Sequence, residues 1–277
     1  MKSKNPNRKV AIITGGSKGI GLRFAKIFAK RNYDIAICSR NLSNLKKAKE
    51  EIELLNVKCL IFKTDISNYK NCKAFINKAY KQFHRVDILI NNAAIQGPAG
   101  RLWQNNIQEW EKTIQINLLG TFYMCYLVVP YMLKQKSGKI INLSGGGAAY
   151  ARPLFSAYAC SKTAILRLTE TLAEELKGEN IQVIAIAPGA VWTEMAKEAL
   201  QKSIKINDKK NINQLKIIKA SGGTSYLEHE KIISYLLSND SKKLSGRLLH
   251  VNELDKIEKL KRQFSPESGL LRRVNYV

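Results

Sequence analysis

Short apolar runs alternate along the chain with longer stretches in which apolar positions recur every third or fourth residue. "VAIIT" (Val10 to Thr14) carries almost no polar break, as expected of a strand covered on both faces. The stretch after it sets Ile20, Phe24, Ile27 and Phe28 on one helical face. The same change of period repeats downstream. "DIAICS" (Asp34 to Ser39) precedes a helical pattern across 44–55, and "KCLIFK" (Lys58 to Lys63) precedes a Lys-rich one from Asn71 to Phe83. "VDILIN" (Val86 to Asn91), "KIINLS" (Lys139 to Ser144) and "IQVIAIA" (Ile181 to Ala187) follow with helices between them, and "RLLHV" (Arg247 to Val251) closes the series. The pattern predicts an α/β fold, a doubly wound and mostly parallel sheet of about seven strands flanked by helices. With no internal repeat or long linker, residues 1–277 are read as a single domain. The polar segment 202–223 reads as an insertion, either a mobile lid or a surface helix. A C-terminal tail, 252–277, runs on past the last strand, with Asn252 placed to cap a helix from Glu253 to Phe264.

Open sheets of this kind bind ligands beyond the carboxyl ends of their strands, where the chain direction switches. Function is therefore sought in the turns after Thr14, Ser39, Lys63, Asn91, Ser144 and Ala187. The first of these is "TGGSKGIG", Thr14 to Gly21, leading straight into a helix. Gly15, Gly19 and Gly21 permit a tight turn and close backbone approach, and the helix start offers free N–H groups to a pyrophosphate. No Gly-Lys-Ser/Thr ending follows, which argues against a nucleotide triphosphatase. At the end of the second strand an NAD site commonly carries a carboxylate for the ribose hydroxyls. This chain has Ser39 and Arg40 there, with Lys18 in the neighbouring turn. Cations without a carboxylate suit a ribose 2′-phosphate and favour NADP(H) over NAD(H).

Charge adds one alternative. The formal net charge of +24 invites a nucleic-acid reading. Yet the lysines are spread through nearly every segment, as in "SIKINDKKNINQLKIIK", and no known nucleic-acid motif appears. A solvated basic surface that attracts anionic ligands accounts for the charge, and no nucleic-acid partner is expected. Cys38, Cys59, Cys72, Cys125 and Cys160 are scattered and odd in number, which predicts reduced thiols in a cytoplasmic protein. The histidines lack metal-ligand spacing, so no metal site is expected. No unbroken apolar run approaches a bilayer span, the basic N-terminus lacks a secretion-signal pattern, and no membrane partner is expected.

"INLSGGGAAYARPLFSAYACSK" (141–162) concentrates hydroxyls beside a lysine. In a helix beginning near Phe155, Tyr158 and Lys162 lie four residues apart on one face. A free tyrosine ionises near pH 10, and a nearby ammonium favours the phenolate. Lowering that value by about three units takes roughly 4 kcal/mol, within reach of a lysine and a nicotinamide charge in a dry pocket. By itself the spacing is equally that of an ordinary surface pair.

In context it is more. "TGGSKGIG", "TDIS" (Thr64 to Ser67), "NNAA" (Asn91 to Ala94), "INLLGTF" (Ile116 to Phe122), "YACSK" and "PGAVWT" (Pro188 to Thr193) stand in an order and spacing that resembles the short-chain dehydrogenase/reductase family, of the ordinary rather than the extended type. The resemblance implies a Rossmann-like fold and a proton-relay tetrad of Asn117, Ser144, Tyr158 and Lys162. In that scheme Tyr158 is the general acid/base, Ser144 hydrogen-bonds the same substrate oxygen, and Lys162 holds the nicotinamide ribose. Asn117 anchors a water between the lysine and solvent. It also places Asp65 and Ile66 at the adenine, and Ser17, Ile20, Asn91 and Ala93 along the cleft. Pro188, Gly189, Val191 and Thr193 cover the carboxamide. The expected partners are a small carbonyl or alcohol substrate and further copies of the chain in a homodimer or homotetramer, with the apolar "TFYMCYLVVPYML" (Thr121 to Leu133) at the contact.

The chain departs from the family pattern at two points. Ala94 replaces the usual glycine of "NNAG", and Gly145 occupies the slot thirteen before the tyrosine where the family's serine commonly stands, with Ser144 fourteen before. The glycine run is expected to give the loop enough freedom for Ser144 to reach the site. The alternative is a protein that binds a dinucleotide, or senses redox state, without catalysis.

Overall fold

The strands form where apolar and β-branched residues are continuous, and all pair in parallel. A computed structural model describes residues 8–253, with β1 (Val10–Thr14), β2 (Asp34–Ser39), β3 (Cys59–Lys63), β4 (Ile88–Asn91), β5 (Gly138–Leu143), β6 (Ile181–Ala187) and β7 (Leu248–His250). The sheet order is β3-β2-β1-β4-β5-β6-β7, so the chain reverses its winding between β1 and β4. The tail helix expected from Glu253 lies outside the described residues, as does the basic N-terminal arm.

One layer holds α1 (Gly19–Lys30), α2 (Leu42–Glu53) and α9 (Tyr226–Leu237); its core includes Ile13, Phe24, Phe28 and Ile232. The opposite layer holds α3 (Tyr69–Phe83), α4 (Ile107–Ile114), α5 (Gly120–Gln135) and α6 (Ser156–Glu175), with Phe75, Met124, Val128 and Met132 in its core. Helix starts follow the asparagines: Asn41, Asn68 and Asn106 accept from the backbone N–H three residues on. Segment 202–223, read above as a mobile lid or a surface helix, is mostly helical. It supplies the end of α7 (Glu194–Lys205) and all of α8 (Lys209–Ser221), capped by Thr193 and Asp208.

A π-helical turn, Gln115–Leu119, joins α4 to α5 and makes Ile107–Gln135 one continuous helix. By length and composition that helix is long and apolar enough to cross a membrane. The unbroken-run reading above missed this, because Thr113, Gln115 and Asn117 interrupt the run without lowering its average much. Here it packs on α3, β4 and β5.

The cysteines are free, and all but Cys160 are buried. Burial pushes Cys38, Cys59, Cys72 and Cys125 up to about 12. An unfolded thiol ionises near pH 8.5, so the fold keeps protons the unfolded chain sheds. Their contribution is whole below that pH and is lost as pH rises toward 12. Buried Lys139 and Lys162, lowered to about 8, act oppositely up to about pH 10.5. Four thiols against two lysines leave a net loss of roughly 3 kcal/mol per pH unit above about pH 9. Urea midpoints measured under reducing conditions should therefore fall between about pH 9 and 10, and a constant or rising midpoint contradicts this balance.

Candidate functional site

The switch between β1 and β4 opens a cleft of about 1630 Å³ at the carboxyl ends of the strands. Its floor is strapped together by side chains. Thr14 Oγ1 accepts from the backbone N–H groups of Asn92 and Ala93, both at 3.0 Å. Asn92 Nδ2 donates to the carbonyls of Thr14 (2.8 Å) and Gly15 (3.3 Å). Gly15 has φ +65°, and a Cβ there would stand 2.8 Å from Asn92 Nδ2. Helix α1 starts at Gly19 behind Lys18 with no side-chain cap, which leaves its first N–H groups for a ligand. Ser17, Lys18, Gly19 and Ile20 line the cleft here. Gly21 does not; it keeps the helix tight against Gly15 O, which a Cβ would approach to 2.5 Å.

Ser39, Arg40, Asp65 and Ile66 line one end of the cleft. Burial works against ionising Asp65, but hydrogen bonds from Ser67 Oγ (2.7 Å) and Ser67 N (3.0 Å) outweigh it, aided by Arg40 and Lys112, and hold the carboxyl below its usual range. Arg40 is exposed and donates no hydrogen bond to any described residue.

Tyr158 and Lys162 stand at the other end, on the first turns of α6, and both are buried. Lys162 Nζ donates to Leu143 O at 2.8 Å and lies 5.6 Å from the Tyr158 ring centroid. Burial lowers Lys162 to about 8 and pushes the Tyr158 phenol up. The cation that pulls Tyr158 back down is Arg152, whose guanidinium is 5.0 Å from the ring centroid. The sequence reading gave that part to Lys162 and passed over Arg152, a lone loop cation without helical spacing to the tyrosine.

Of the other two members of the expected tetrad, Asn117 lies off the cleft and Ser144 lines it. Asn117 sits in the π-helical turn, fully buried and off the cleft lining. Its amide accepts from Ile95 N (2.9 Å) and donates to Ile95 O and Ser161 Oγ, both at 3.0 Å. The side chain therefore ties the Ile95 loop to α6 one residue from Lys162, with both N–H groups taken by protein. Ser144 lines the cleft, and its buried Oγ has no partner. The residue aimed at the Tyr158 hydroxyl is Gly145: a Cβ there would stand 2.4 Å from Tyr158 Oη.

Ala93 lines the cleft; Asn91 does not. Asn91 Nδ2 instead donates to Asn142 Oδ1 (2.9 Å), and Asn142 Nδ2 to Thr169 Oγ1 (2.9 Å). This buried chain pins β4, β5 and α6 together beneath the site. After β6, Pro188, Gly189, Val191 and Thr193 line the cleft as expected. Sequence reasoning missed His229 in α9. Its Nε2 donates to Pro188 O at 2.8 Å, and burial holds the imidazole below its usual range. Helices α7 and α8 line one side of the cleft, tied down by Lys202 Nζ to Gly97 O (2.7 Å) and Thr224 N to Ala190 O (2.8 Å).

Residues 9–204 match the family described as short chain dehydrogenase. The chain belongs to that family. This short-chain dehydrogenase is 31% identical over 244 residues to a 3-oxoacyl-(acyl-carrier-protein) reductase of Thermotoga maritima, covering 88% of this chain and 96% of the relative. It is 36% identical over 203 residues to an uncharacterized oxidoreductase of Staphylococcus saprophyticus, covering 73% and 81%. Among solved structures, an NAD+-bound xylitol dehydrogenase superposes with TM-score 0.80 at 27% identity, covering 89% of this chain and 98% of that one. An actinorhodin polyketide ketoreductase with NADPH, 23% identical, shares the fold at TM-score 0.82 over 90% and 97% of the two chains. The short-chain dehydrogenase is thus an oxidoreductase of the nicotinamide-binding, Rossmann-like class.

Proposed function

We propose that this short-chain dehydrogenase is NADP(H)-dependent and interconverts a ketone and a secondary alcohol, with Tyr158 as general acid and base. One observation carries the reading. The hydroxyl of Tyr158, bonded to no described residue, stands beside Lys162 in the same cleft as an uncapped helix start. A dinucleotide suits this donor set: the free N–H groups of α1 for the pyrophosphate, Lys162 Nζ for the ribose, and the glycine turn for close approach. Bound there, the cofactor supplies or accepts the hydride.

Tyr158 gives its proton to the substrate oxygen in reduction and takes it back in oxidation. Its neighbour Arg152 lowers the cost of the phenolate in a buried place. Ser144, its hydroxyl unpartnered, is the donor available to share the substrate oxygen. Asn117 is a positioning residue that fixes the start of α6 through Ser161. The exposed Phe122 and Tyr126 of α5 support pairing with a second copy of the chain.

Arg40, exposed at the cleft and paired with no described acid, supports NADP(H) over NAD(H). Arg40→Ala should raise the Kd for NADPH by about 10- to 100-fold and that for NADH by much less, since a charge-assisted pair to phosphate is lost. Fluorescence titration of both reduced cofactors checks this. Equal losses for the two overturn the 2′-phosphate assignment.

A further inference from the structure

Arg152 lies half-buried in the loop between β5 and α6 and lines the same cleft as Tyr158. Its guanidinium rests 4.4 Å from the Phe155 ring centroid and 5.0 Å from that of Tyr158. Among the described residues it donates no hydrogen bond and makes no ion pair. By contrast Arg8 and Arg85 pair with acids, and Arg23 and Arg31 reach backbone carbonyls. The carboxylate that acts on Arg152 is that of Asp208, which caps α8 by accepting from Asn211 N at 3.1 Å. A guanidinium keeps its charge in proteins, and this one is met by two aromatic faces while its N–H donors have no described protein acceptor.

A second unpartnered group lies in the same cleft. Gln96, 7% exposed, lines it with a buried amide oxygen that nothing bonds. Tyr150 adds a phenol near the mouth. Arg152 thus offers a planar two-pronged donor of the kind that matches a carboxylate, beside the group that protonates the substrate oxygen.

We infer that the substrate is a short oxo acid, with Arg152 holding its carboxylate while the ketone, a few bonds away, meets Tyr158. The inference rests on the proposed carbonyl reduction. In that reaction the ketone gains two electrons and a hydrogen at carbon from NADPH and a proton at oxygen from Tyr158. The products are a hydroxy acid and NADP+, and the carboxylate takes no part. The narrow spacing between guanidinium and tyrosine ring selects short acids over long ones, because the two groups must be met at once.

The test pairs each acid with its uncharged amide. Reduction of acetoacetate and acetoacetamide, and of 2-oxobutanoate and its amide, is followed with the full chain and NADPH. Calorimetry with acetoacetate and acetoacetamide in the presence of NADP+, a pairing that has no hydride to transfer, reads binding without turnover. The wild-type chain should prefer acid to amide by about 10-fold or more, and Arg152→Gln should bring that ratio close to unity, mainly through KM, with Arg152→Lys recovering part of it. The inference is overturned by equal handling of acid and amide in the wild-type chain. It is overturned equally if Arg152→Gln lowers acid and amide alike, which leaves Arg152 only its influence on the Tyr158 phenol. A chain that oxidises no NADPH with any carbonyl contradicts the proposed function, while the calorimetric ratio still reports on the anion site.

Discussion

Tyr158→Phe should lower carbonyl reduction by roughly 10³-fold while NADPH affinity stays within about threefold, because the variant deletes a proton donor and almost nothing else. The ring stays packed between Arg152 and Lys162, whose charges lie 5.0 and 5.6 Å from its centroid. The hydroxyl holds no described residue in place, so its removal costs the fold little. What disappears is a phenol that burial has pushed up and that Arg152 pulls back. Stopped-flow oxidation of NADPH with the best ketone of a panel, beside a fluorescence titration of NADPH, separates chemistry from binding. A phenylalanine variant with near wild-type turnover would falsify the assignment.

Gly145→Ala should cost turnover by about 100-fold, out of proportion to one added methyl group. A Cβ at Gly145 would stand 2.4 Å from Tyr158 Oη, 3.2 Å from Cζ and 3.3 Å from Cε1, so either the loop or the ring must move. A displacement near 1 Å at the reacting atom is enough for a loss of that size. Gly146→Ala serves as the comparison. There the nearest contact is the hydroxyl of Tyr150 at 3.1 Å, an exposed side chain that can swing away, and a loss below about threefold is expected. Thermal melts of both variants, matched to wild type, ensure that the rates compare folded proteins. If Gly145→Ala turns over like wild type, the loop yields and the close approach has no functional weight.

Much of this was legible from period and punctuation. The strand runs announced every strand, since a parallel sheet covered on both faces demands continuous apolar sequence. The glycine turn after Thr14 announced the tight turn and the uncapped start of α1 that line the cleft. The i, i+4 relation of Tyr158 and Lys162 survived intact, because it depends on helix geometry alone. What escaped the sequence were contacts made between distant segments. His229 holds Pro188 across 41 positions, and Arg152 reaches the Tyr158 ring by the path of a loop rather than by helical spacing. Asn91 and Asn117 carry motif positions, yet buried hydrogen bonds set where their amides point, and no motif records that. Ser144 and Gly145 differ by one position, and backbone direction after β5 decides which of them faces the tyrosine.

The most direct measurement of the central claim follows one hydrogen. NADPH deuterated at its transferable position is incubated with the full chain and a short ketone, and the alcohol is analysed by mass spectrometry. The account predicts an alcohol carrying one deuterium on the carbinol carbon, formed by the wild-type chain and suppressed in Tyr158→Phe. Tight NADPH binding with no labelled alcohol from any ketone would contradict it and leave a dinucleotide-binding protein without this catalysis.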